Sequence, residues 1–250
     1  MTRWFCRTGT AAGAPARLFC FPPAGGTAAA FLPWQPLLGS GVELWAVEPP
    51  GRGLRLAEPP PHNMDDLVGQ ATDAIAALAD RPFALFGHSL GALVAFEVAR
   101  SLRRAGRPGP VSLWVAGAEG PRTRSIQRRV HDLPDAQLVA VLRDYGGTRP
   151  EVLDDPEMME LLMPMIRADF ALSERYAYRA EEPLDVTVHV LLGDHDPYVD
   201  PARAKGWSYE TSRPVQRHVF AGGHFFPTPH QVGLSALIAA DLAADVGVDR

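Results

Sequence analysis

The sequence predicts an α/β protein in which a mostly parallel sheet is flanked by helices and carries an inserted helical lid. Short apolar runs with strand character alternate with helical patterns through the first half of the chain, which is typical of a doubly wound parallel sheet. From 119 to 178 the alternation stops, and only helical patterns occur before strand-like runs resume. We therefore expect a single domain over residues 1–250, with a helical lid subdomain inserted at 119–178.

Composition and charge exclude several classes of partner. The chain has 250 residues, of which 46% are hydrophobic and 21% charged, and its formal net charge is -5. These values suit a globular domain and give no general attraction to nucleic acid. No apolar stretch approaches membrane-spanning length, and no signal-peptide pattern begins the chain. We expect a cytoplasmic protein without nucleic-acid or membrane partners, whose Cys6 and Cys20 are reduced and buried.

The first strands and their loops follow from β-favouring residues and turn formers. We predict strands at 17–21 and 43–48, and a helix at 65–79 where apolar residues recur at helical spacing behind an acidic first turn. The loop Pro22-Pro23-Ala24-Gly25-Gly26-Thr27 ends the first strand, because its prolines and glycines break regular structure. We expect Thr27 to cap a following helix.

A serine motif joins the next strand to the next helix. Phe86-Gly87-His88-Ser89-Leu90-Gly91 reads G-x-S-x-G, with an apolar strand at 83–86 before it and an apolar-rich helix at 92–100 after it. In that context the motif is the nucleophile elbow of the α/β-hydrolase fold, in which the sharp turn leaves the serine hydroxyl exposed and the glycines make room for crossing backbones. The alternative is a helix that follows an ordinary loop.

The second half completes the sheet around the insertion. Further strands are predicted at 111–116, 186–192 and 215–220, and a terminal helix at 235–246. Within the insertion, Leu133-Pro134-Asp135 begins one helix and Asp155-Pro156 another. The second helix is rich in methionine and contains Pro164, which we expect to kink or divide it. Its methionines could line an adaptable apolar channel or form ordinary core, and the pattern fits both.

The serine needs a base, and the base needs a carboxylate that fixes its tautomer. In α/β-hydrolases the chain order is serine, acid, histidine. His224 follows the last predicted strand and two glycines, at the sheet edge that carries the elbow, and we predict that it is the base. The other histidines lie inside strands, in loops or near helix starts. Spacing does not choose the acid, for which the candidates are Asp194, Asp196, Asp200 and Glu119.

The loop after the first core strand and the residue after the nucleophile supply the oxyanion-hole N–H groups in this fold. Here those residues are Ala24 and Leu90. The alternative for the loop is a plain strand-to-helix turn. Pro23 cannot donate, because proline has no N–H.

Motifs spread over nearly the whole chain resemble the external, type II thioesterases of polyketide and nonribosomal peptide biosynthesis. They are Phe21-Pro22-Pro23-Ala24-Gly25-Gly26, Pro50-Gly51-Arg52-Gly53, Gly87-His88-Ser89-Leu90-Gly91-Ala92, Leu133-Pro134-Asp135, Tyr145-Gly146-Gly147-Thr148, Leu162-Met163-Pro164-Met165-Ile166-Arg167-Ala168-Asp169-Phe170, Gly193-Asp194-His195-Asp196-Pro197 and Gly222-Gly223-His224-Phe225-Phe226. The lid motifs are the specific part, since a generic hydrolase shares only the elbow.

The resemblance implies a stand-alone enzyme that removes stalled or wrong acyl units from the phosphopantetheine of acyl or peptidyl carrier proteins. It implies that Asp196, the second aspartate of Gly-Asp-x-Asp, is the acid; synthase-fused thioesterases usually place theirs after an earlier strand, near Glu119 here. It implies no metal and no bound cofactor, because phosphopantetheine belongs to the substrate. A general esterase or acyltransferase with the same triad, and a non-catalytic carrier-binding module, stay open as alternatives.

Carrier proteins are generally acidic, so docking on this acidic chain requires a local basic patch. Two arginine clusters are candidates. One begins the insertion near the expected site, and the other ends the elbow helix, where the helix dipole alone explains it. We predict that the first cluster docks the carrier. The first comprises Arg122, Arg124, Arg128 and Arg129, and the second Arg100, Arg103, Arg104 and Arg107.

Overall fold

The strands form one sheet whose parallel core fixes the edge where the site lies. The computed structural model of the chain describes residues 3–9, 11–126 and 128–245. Its strands are β1 (Phe5–Cys6), β2 (Ala16–Phe21), β3 (Val42–Val47), β4 (Phe83–His88), β5 (Ser112–Ala116), β6 (Thr187–Gly193) and β7 (Gln216–Phe220). Their order in the sheet is β1-β3-β2-β4-β5-β6-β7. The edge strand β1 is antiparallel to β3, and the other neighbouring pairs are parallel.

Helices cover both faces of the sheet. They are α1 (Gln35–Leu38), α2 (Met64–Ala76), α3 (Leu90–Arg104), α4 (Asp135–Tyr145), α5 (Pro150–Leu153), α6 (Pro156–Arg175), α7 (Pro201–Ala204) and α8 (Gln231–Asp245). Short 3-10 turns lie at Ala28–Ala30, Leu32–Trp34, Gly53–Arg55 and Lys205–Tyr209. Among the residues described, no helix is both long enough and apolar enough to cross a bilayer.

The core explains why the central strands read as continuous apolar runs. One cluster packs α2 and α3 on one face, with Phe19, Leu85 and Phe96 buried in it. A second cluster packs α8 on the opposite face, around Phe86 and Trp114. Because successive residues of a strand point to opposite faces and both faces are covered, every residue of β2, β4 and β5 is buried.

The segment predicted to be a lid has its own core. Helices α4, α5 and α6 lie between β5 and β6 in the chain and pack around Leu138, Met159, Met163 and Phe170. Pro164 lies inside α6, which is continuous from Pro156 to Arg175, so of the predicted kink or division the division is wrong. Proline removes one N–H bond there, and the buried apolar face of α6 holds the helix together on either side of it.

Other boundaries differ from the sequence prediction in small ways. Helix α2 ends at Ala76, three residues short of the predicted 79, and α8 begins at Gln231 rather than 235. The predicted last residue of α8, Val246, lies outside the described residues. Thr27 precedes the first 3-10 turn, but its side chain makes no cap hydrogen bond. Cys20 is buried and Cys6 only half-buried, and both are free thiols.

Candidate active site

The strand-to-helix turn at Ser89 has the strained geometry of a nucleophile elbow. Ser89 has φ 55° and ψ -115°, and among the described residues it is the one non-glycine residue with a positive φ. Such a backbone costs energy and persists only where the surroundings impose it. Here the Ser89 N–H donates to the Ala116 carbonyl at 2.8 Å. The turn therefore presents a half-buried serine at the end of β4.

The two glycines of the elbow are required by close backbone approach. A Cβ placed on Gly87 would lie 2.1 Å from the Gly91 carbonyl oxygen, and one on Gly91 would lie 2.3 Å from the Phe21 carbonyl oxygen. Both distances are far inside contact, so a larger residue at 87 would push the start of α3 away from β4, and one at 91 would push it away from β2. The G-x-S-x-G spacing thus sets the distance between the serine and the loop that follows β2.

His224 and Asp196 form a buried pair beside the elbow. The distance between His224 Nδ1 and Asp196 Oδ2 is 2.8 Å, and the side chains are 5% and 1% exposed. The other Asp196 oxygen accepts the Tyr198 N–H at 2.9 Å. A carboxylate held in this way keeps the proton on Nδ1 and leaves the Nε2 lone pair free to accept one. His224 and Ser89 line the same cavity.

The other candidate acids have different partners. Asp194 accepts the Gly222 N–H at 2.8 Å and contacts His195, and these bonds lower the pKa of its carboxyl. Asp200 caps α7 through the Ala202 N–H. Glu119 accepts the N–H groups of Ser125 and Asp200. Among these four acids, in the chain as described, Asp196 is the one whose carboxylate contacts His224.

His88 is hydrogen-bonded to the backbone of His224. Its Nε2–H donates to the His224 carbonyl oxygen at 2.8 Å, and the two rings lie 5.2 Å apart. Burial, and secondarily the nearby His224, lower the pKa of His88 to about 3. His88 is therefore neutral at physiological pH, and it adds no positive charge that would oppose protonation of His224 during the reaction.

The loop after β2 lines the same cavity as His224. Its turn is closed by the Gly26 N–H, which donates to the Pro23 carbonyl at 2.9 Å, and Gly25 has φ +73°, a region that glycine adopts at little cost. The Gly25 N–H is taken by the Asp169 carboxylate at 2.8 Å. Ala24 lines the cavity beside Ser89. Its N–H has no acceptor among the described residues.

Leu90 is the first residue of α3. The N–H groups of the first helical turn have no partner within the helix, and the positive end of the helix dipole lies there. Leu90 lines the cavity next to Ser89, as Ala24 does. The structure therefore brings together all five residues that the sequence selected: Ser89, Asp196, His224, Ala24 and Leu90.

A cavity of about 390 Å³ extends from Ser89 beneath the lid. Its apolar walls include Leu93, Val141, Leu142 and Phe170, from the elbow helix and the lid. The methionines of α6 do not line it in the described structure; Met159, Met163 and Met165 are buried in the lid core instead. Of the two interpretations left open by the sequence, ordinary core is the one observed.

An aromatic pair that sequence reasoning missed covers the base. Tyr145, at the end of α4, stacks on Tyr198 with ring centroids 3.9 Å apart. Both rings are in T-shaped contact with the His224 ring, at centroid distances of 5.5 and 5.6 Å. Burial raises the pKa of Tyr145 to about 12, so it stays neutral. The motif Tyr145-Gly146-Gly147-Thr148 was visible in the sequence, but nothing local indicated which residue it would face.

Comparison with known proteins gives the family. A family model described as a thioesterase domain matches residues 16–241. The chain belongs to the thioesterase family. It is a hydrolase that acts on thioesters, and it has the α/β-hydrolase fold.

This thioesterase is similar to proteins of antibiotic and polyketide pathways. The gramicidin S biosynthesis protein GrsT of Aneurinibacillus migulanus is 36% identical over 226 residues, which cover 90% of this chain and 88% of the relative. The solved structure of the type II thioesterase BorB from the borrelidin biosynthetic cluster superposes with a TM-score of 0.88 at 37% identity, covering 96% of this chain and 97% of that one. The RedJ thioesterase from the prodiginine pathway in Streptomyces coelicolor gives 0.85 at 38% identity, covering 92% and 87%. The resemblance to type II thioesterases is confirmed.

Proposed function

We propose that this thioesterase hydrolyses the thioester between an acyl group and the phosphopantetheine of an acyl or peptidyl carrier protein, and so removes stalled or incorrect units from a polyketide or nonribosomal peptide synthase. The observation that carries the proposal is the buried His224–Asp196 pair, joined at 2.8 Å beside Ser89 in its strained elbow, in one cavity under the lid. Relatives named for antibiotic and polyketide pathways support the substrate class.

In the proposed mechanism, Ser89 Oγ attacks the thioester carbonyl while His224 Nε2 takes its proton. Asp196 keeps the imidazole oriented and stabilises the positive charge that forms on it. The Ala24 and Leu90 N–H groups hold the oxyanion, each donor contributing about 3 kcal/mol. The carrier thiol leaves with the proton from His224, and water activated by the same histidine then releases the acid from Ser89.

These steps need no metal and no bound cofactor, since phosphopantetheine arrives as part of the substrate. We also propose a cytoplasmic location, and neither nucleic acid nor membrane as a partner. The free thiols of Cys6 and Cys20 support this location, because reduced cysteines are typical of the cytosol.

The substrate class is tested by comparing three compounds that carry the same acyl group: the acyl-carrier protein, the free acyl-N-acetylcysteamine thioester and a simple oxygen ester. We expect kcat/KM to be highest for the carrier and lowest for the ester. Faster turnover of the ester would indicate a general esterase, and transfer of the acyl group to an added acceptor in place of water would indicate an acyltransferase. No turnover of any of them, with the carrier still bound, would indicate a binding module.

We narrow the proposed docking surface to two of the four arginines in the first cluster. Arg124 is held inside the protein, because it donates to the Ser173 carbonyl at 2.6 Å. Burial lowers the pKa of its guanidinium. Arg122 lies over the Tyr209 ring, 5.1 Å from its centroid. Arg128 and Arg129 are exposed, and Arg128 lines the cavity that contains Ser89. We therefore propose that Arg128 and Arg129 meet the acidic carrier.

Reversing both charges in the variant Arg128→Glu/Arg129→Glu should raise KM for acyl-carrier substrates, because electrostatic docking mainly speeds association. Turnover of acyl-N-acetylcysteamine should be almost unchanged, and added salt should weaken the difference between variant and wild type.

Arg107→Glu is the control for a charge reversal outside the lid. This exposed arginine lies just beyond the end of α3, a helix of 15 residues that starts next to Ser89. Equal losses on both substrates would indicate lid damage, and no loss on either would remove the pair from the docking surface.

A further inference from the structure

A buried ion pair links the lid to the loop that contains Ala24. Arg52, in the loop after β3, contacts Asp169 of α6 through two bonds of 2.6 and 2.7 Å, and both side chains are 2% exposed. The same Asp169 carboxylate accepts the Gly25 N–H at 2.8 Å. Arg52 also donates to the Gly26 carbonyl at 3.1 Å. The pair therefore binds two successive residues of this loop.

Stability alone is a weak reason for this arrangement. The desolvation of two buried charges often exceeds their attraction, and apolar residues of similar volume usually stabilise a fold as well or better. Apolar residues, however, could not bind an N–H and a carbonyl of the loop. What the ion pair adds is control over the orientation of backbone groups.

The backbone groups that it controls flank the Ala24 N–H. The Gly25 N–H belongs to the peptide group that follows Ala24, and Asp169 fixes the plane of that peptide. The Ala24 N–H itself belongs to the preceding peptide group, whose Pro23 carbonyl accepts the Gly26 N–H. These bonds hold one turn from Pro23 to Gly26, and the direction of the Ala24 N–H depends on that turn, which Asp169 holds at Gly25 and Arg52 holds at Gly26.

Asp169 belongs to the lid, so this bond exists only when α6 is seated. A second contact also requires α6 to be in place. Ile166, one helical turn before Asp169, packs against Gly25: a Cβ added to this glycine would lie 3.4 Å from Ile166 Cγ1. If α6 moves away from the sheet, Gly25 loses both contacts, and the peptide group between Ala24 and Gly25 is no longer held from the lid.

We propose that Arg52 and Asp169 are positioning residues that direct the Ala24 N–H toward the oxyanion and make the oxyanion hole complete only when α6 is docked. The inference rests on the proposed function through the role of Ala24 as a donor. It adds that the lid contributes to catalysis by orienting backbone, beyond enclosing the acyl group.

The test removes the pair without leaving an uncompensated charge. In the double variant Arg52→Met/Asp169→Leu, apolar side chains of similar length replace both members, which favours folding. With acyl-N-acetylcysteamine as substrate, we expect kcat to fall by about 10²–10³-fold, the usual effect of losing one oxyanion donor, with KM nearly unchanged. A trifluoromethyl ketone analogue, which forms an oxyanion on addition of the serine, should lose affinity by a similar factor. The matching methyl ketone should not.

Arg167→Met is the matched control within the lid. Arg167 donates to the carbonyl groups of His131 and Leu133 and pairs with Asp135, all in the lid, and among the described residues it has no hydrogen bond to the loop of Ala24. This variant removes bonds within the lid and leaves the Arg52–Asp169 pair and its bonds to Gly25 and Gly26 in place, so kcat and the ketone selectivity should be almost unchanged. If the double variant does not fold, Arg52→Gln/Asp169→Asn replaces it, which also leaves no uncompensated buried charge, and we expect a smaller loss of the same pattern.

The proposal is overturned if the folded double variant keeps wild-type kcat and ketone selectivity, if KM rises while kcat is unchanged, or if Arg167→Met shows the same loss. Failure of the proposed function would look different, because it would appear in the wild-type protein, as a preference for the oxygen ester, as acyl transfer to an added acceptor, or as no turnover of the thioester.

Discussion

Ser89→Ala is expected to lower kcat by more than about 10³-fold, because no other group can form the acyl-enzyme in the proposed mechanism. Alanine keeps the Cβ and needs the same backbone as serine, so the elbow and the fold should persist. The measurement pairs thioester hydrolysis with urea unfolding of the same preparations.

Ser101→Ala is the control for this prediction. Ser101 lies in the same helix, α3, far along it from the elbow, and it does not line the cavity. Its replacement should leave kcat near the wild-type value. A Ser89→Ala protein that is folded and retains more than about a thousandth of the wild-type rate would contradict the assignment of the nucleophile.

Asp196→Asn is expected to lower turnover by about 10⁴-fold, because the amide would favour the imidazole tautomer with its proton on Nε2, which cannot accept the serine proton. The variant keeps the size of the side chain, so His224 should stay buried. Turnover is measured on acyl-N-acetylcysteamine to exclude effects on carrier docking.

Asp194→Asn is the matched control, in the same loop and with the same chemical change. The Asp194 carboxylate accepts the Gly222 N–H, and this bond joins the loops after β6 and β7. The variant replaces the charged acceptor of that bond by a neutral one, and we expect a much smaller loss of turnover than in Asp196→Asn. If Asp194→Asn is instead the more severely impaired variant, the assignment of Asp196 is wrong.

The sheet and the elbow could be predicted from local patterns. The strands β2 to β6 are short, mostly apolar runs between turn formers, and the serine elbow combines a strand, two glycines and a helix within a few residues. The two-residue strand β1 and the four-residue helices α1, α5 and α7 are too short for any periodicity to appear. Pro164 suggested a division of α6 that does not occur, because local rules do not include the tertiary packing that holds this helix together.

The choice of the acid needed more than spacing. Asp194, Asp196 and Asp200 lie within seven residues of one another after β6, and which carboxylate faces His224 depends on how that loop turns. The family resemblance suggested Asp196, and its 2.8 Å contact with His224 agrees with that choice. Its catalytic role stays a prediction until the two variants are compared.

Contacts between distant motifs were beyond sequence reasoning. Arg52 and Asp169 are 117 residues apart, and Tyr145 and Tyr198 meet only because the lid lies over the loop of the acid. The arginine run at the start of the insertion shows the same limit. Its spacing suggested one patch, but Arg124 binds Ser173 inside the fold, whereas Arg128 reaches the cavity rim.

The most direct test of the central claim is covalent labelling with a fluorophosphonate, which reacts with a serine activated by histidine. After digestion, mass spectrometry should find the added phosphonyl mass on the peptide that contains Ser89, in proportion to the activity lost. Labelling should be absent in Ser89→Ala and strongly slowed in Asp196→Asn. A label on another residue that accounts for the lost activity, or full activity with Ser89 modified, would contradict the account.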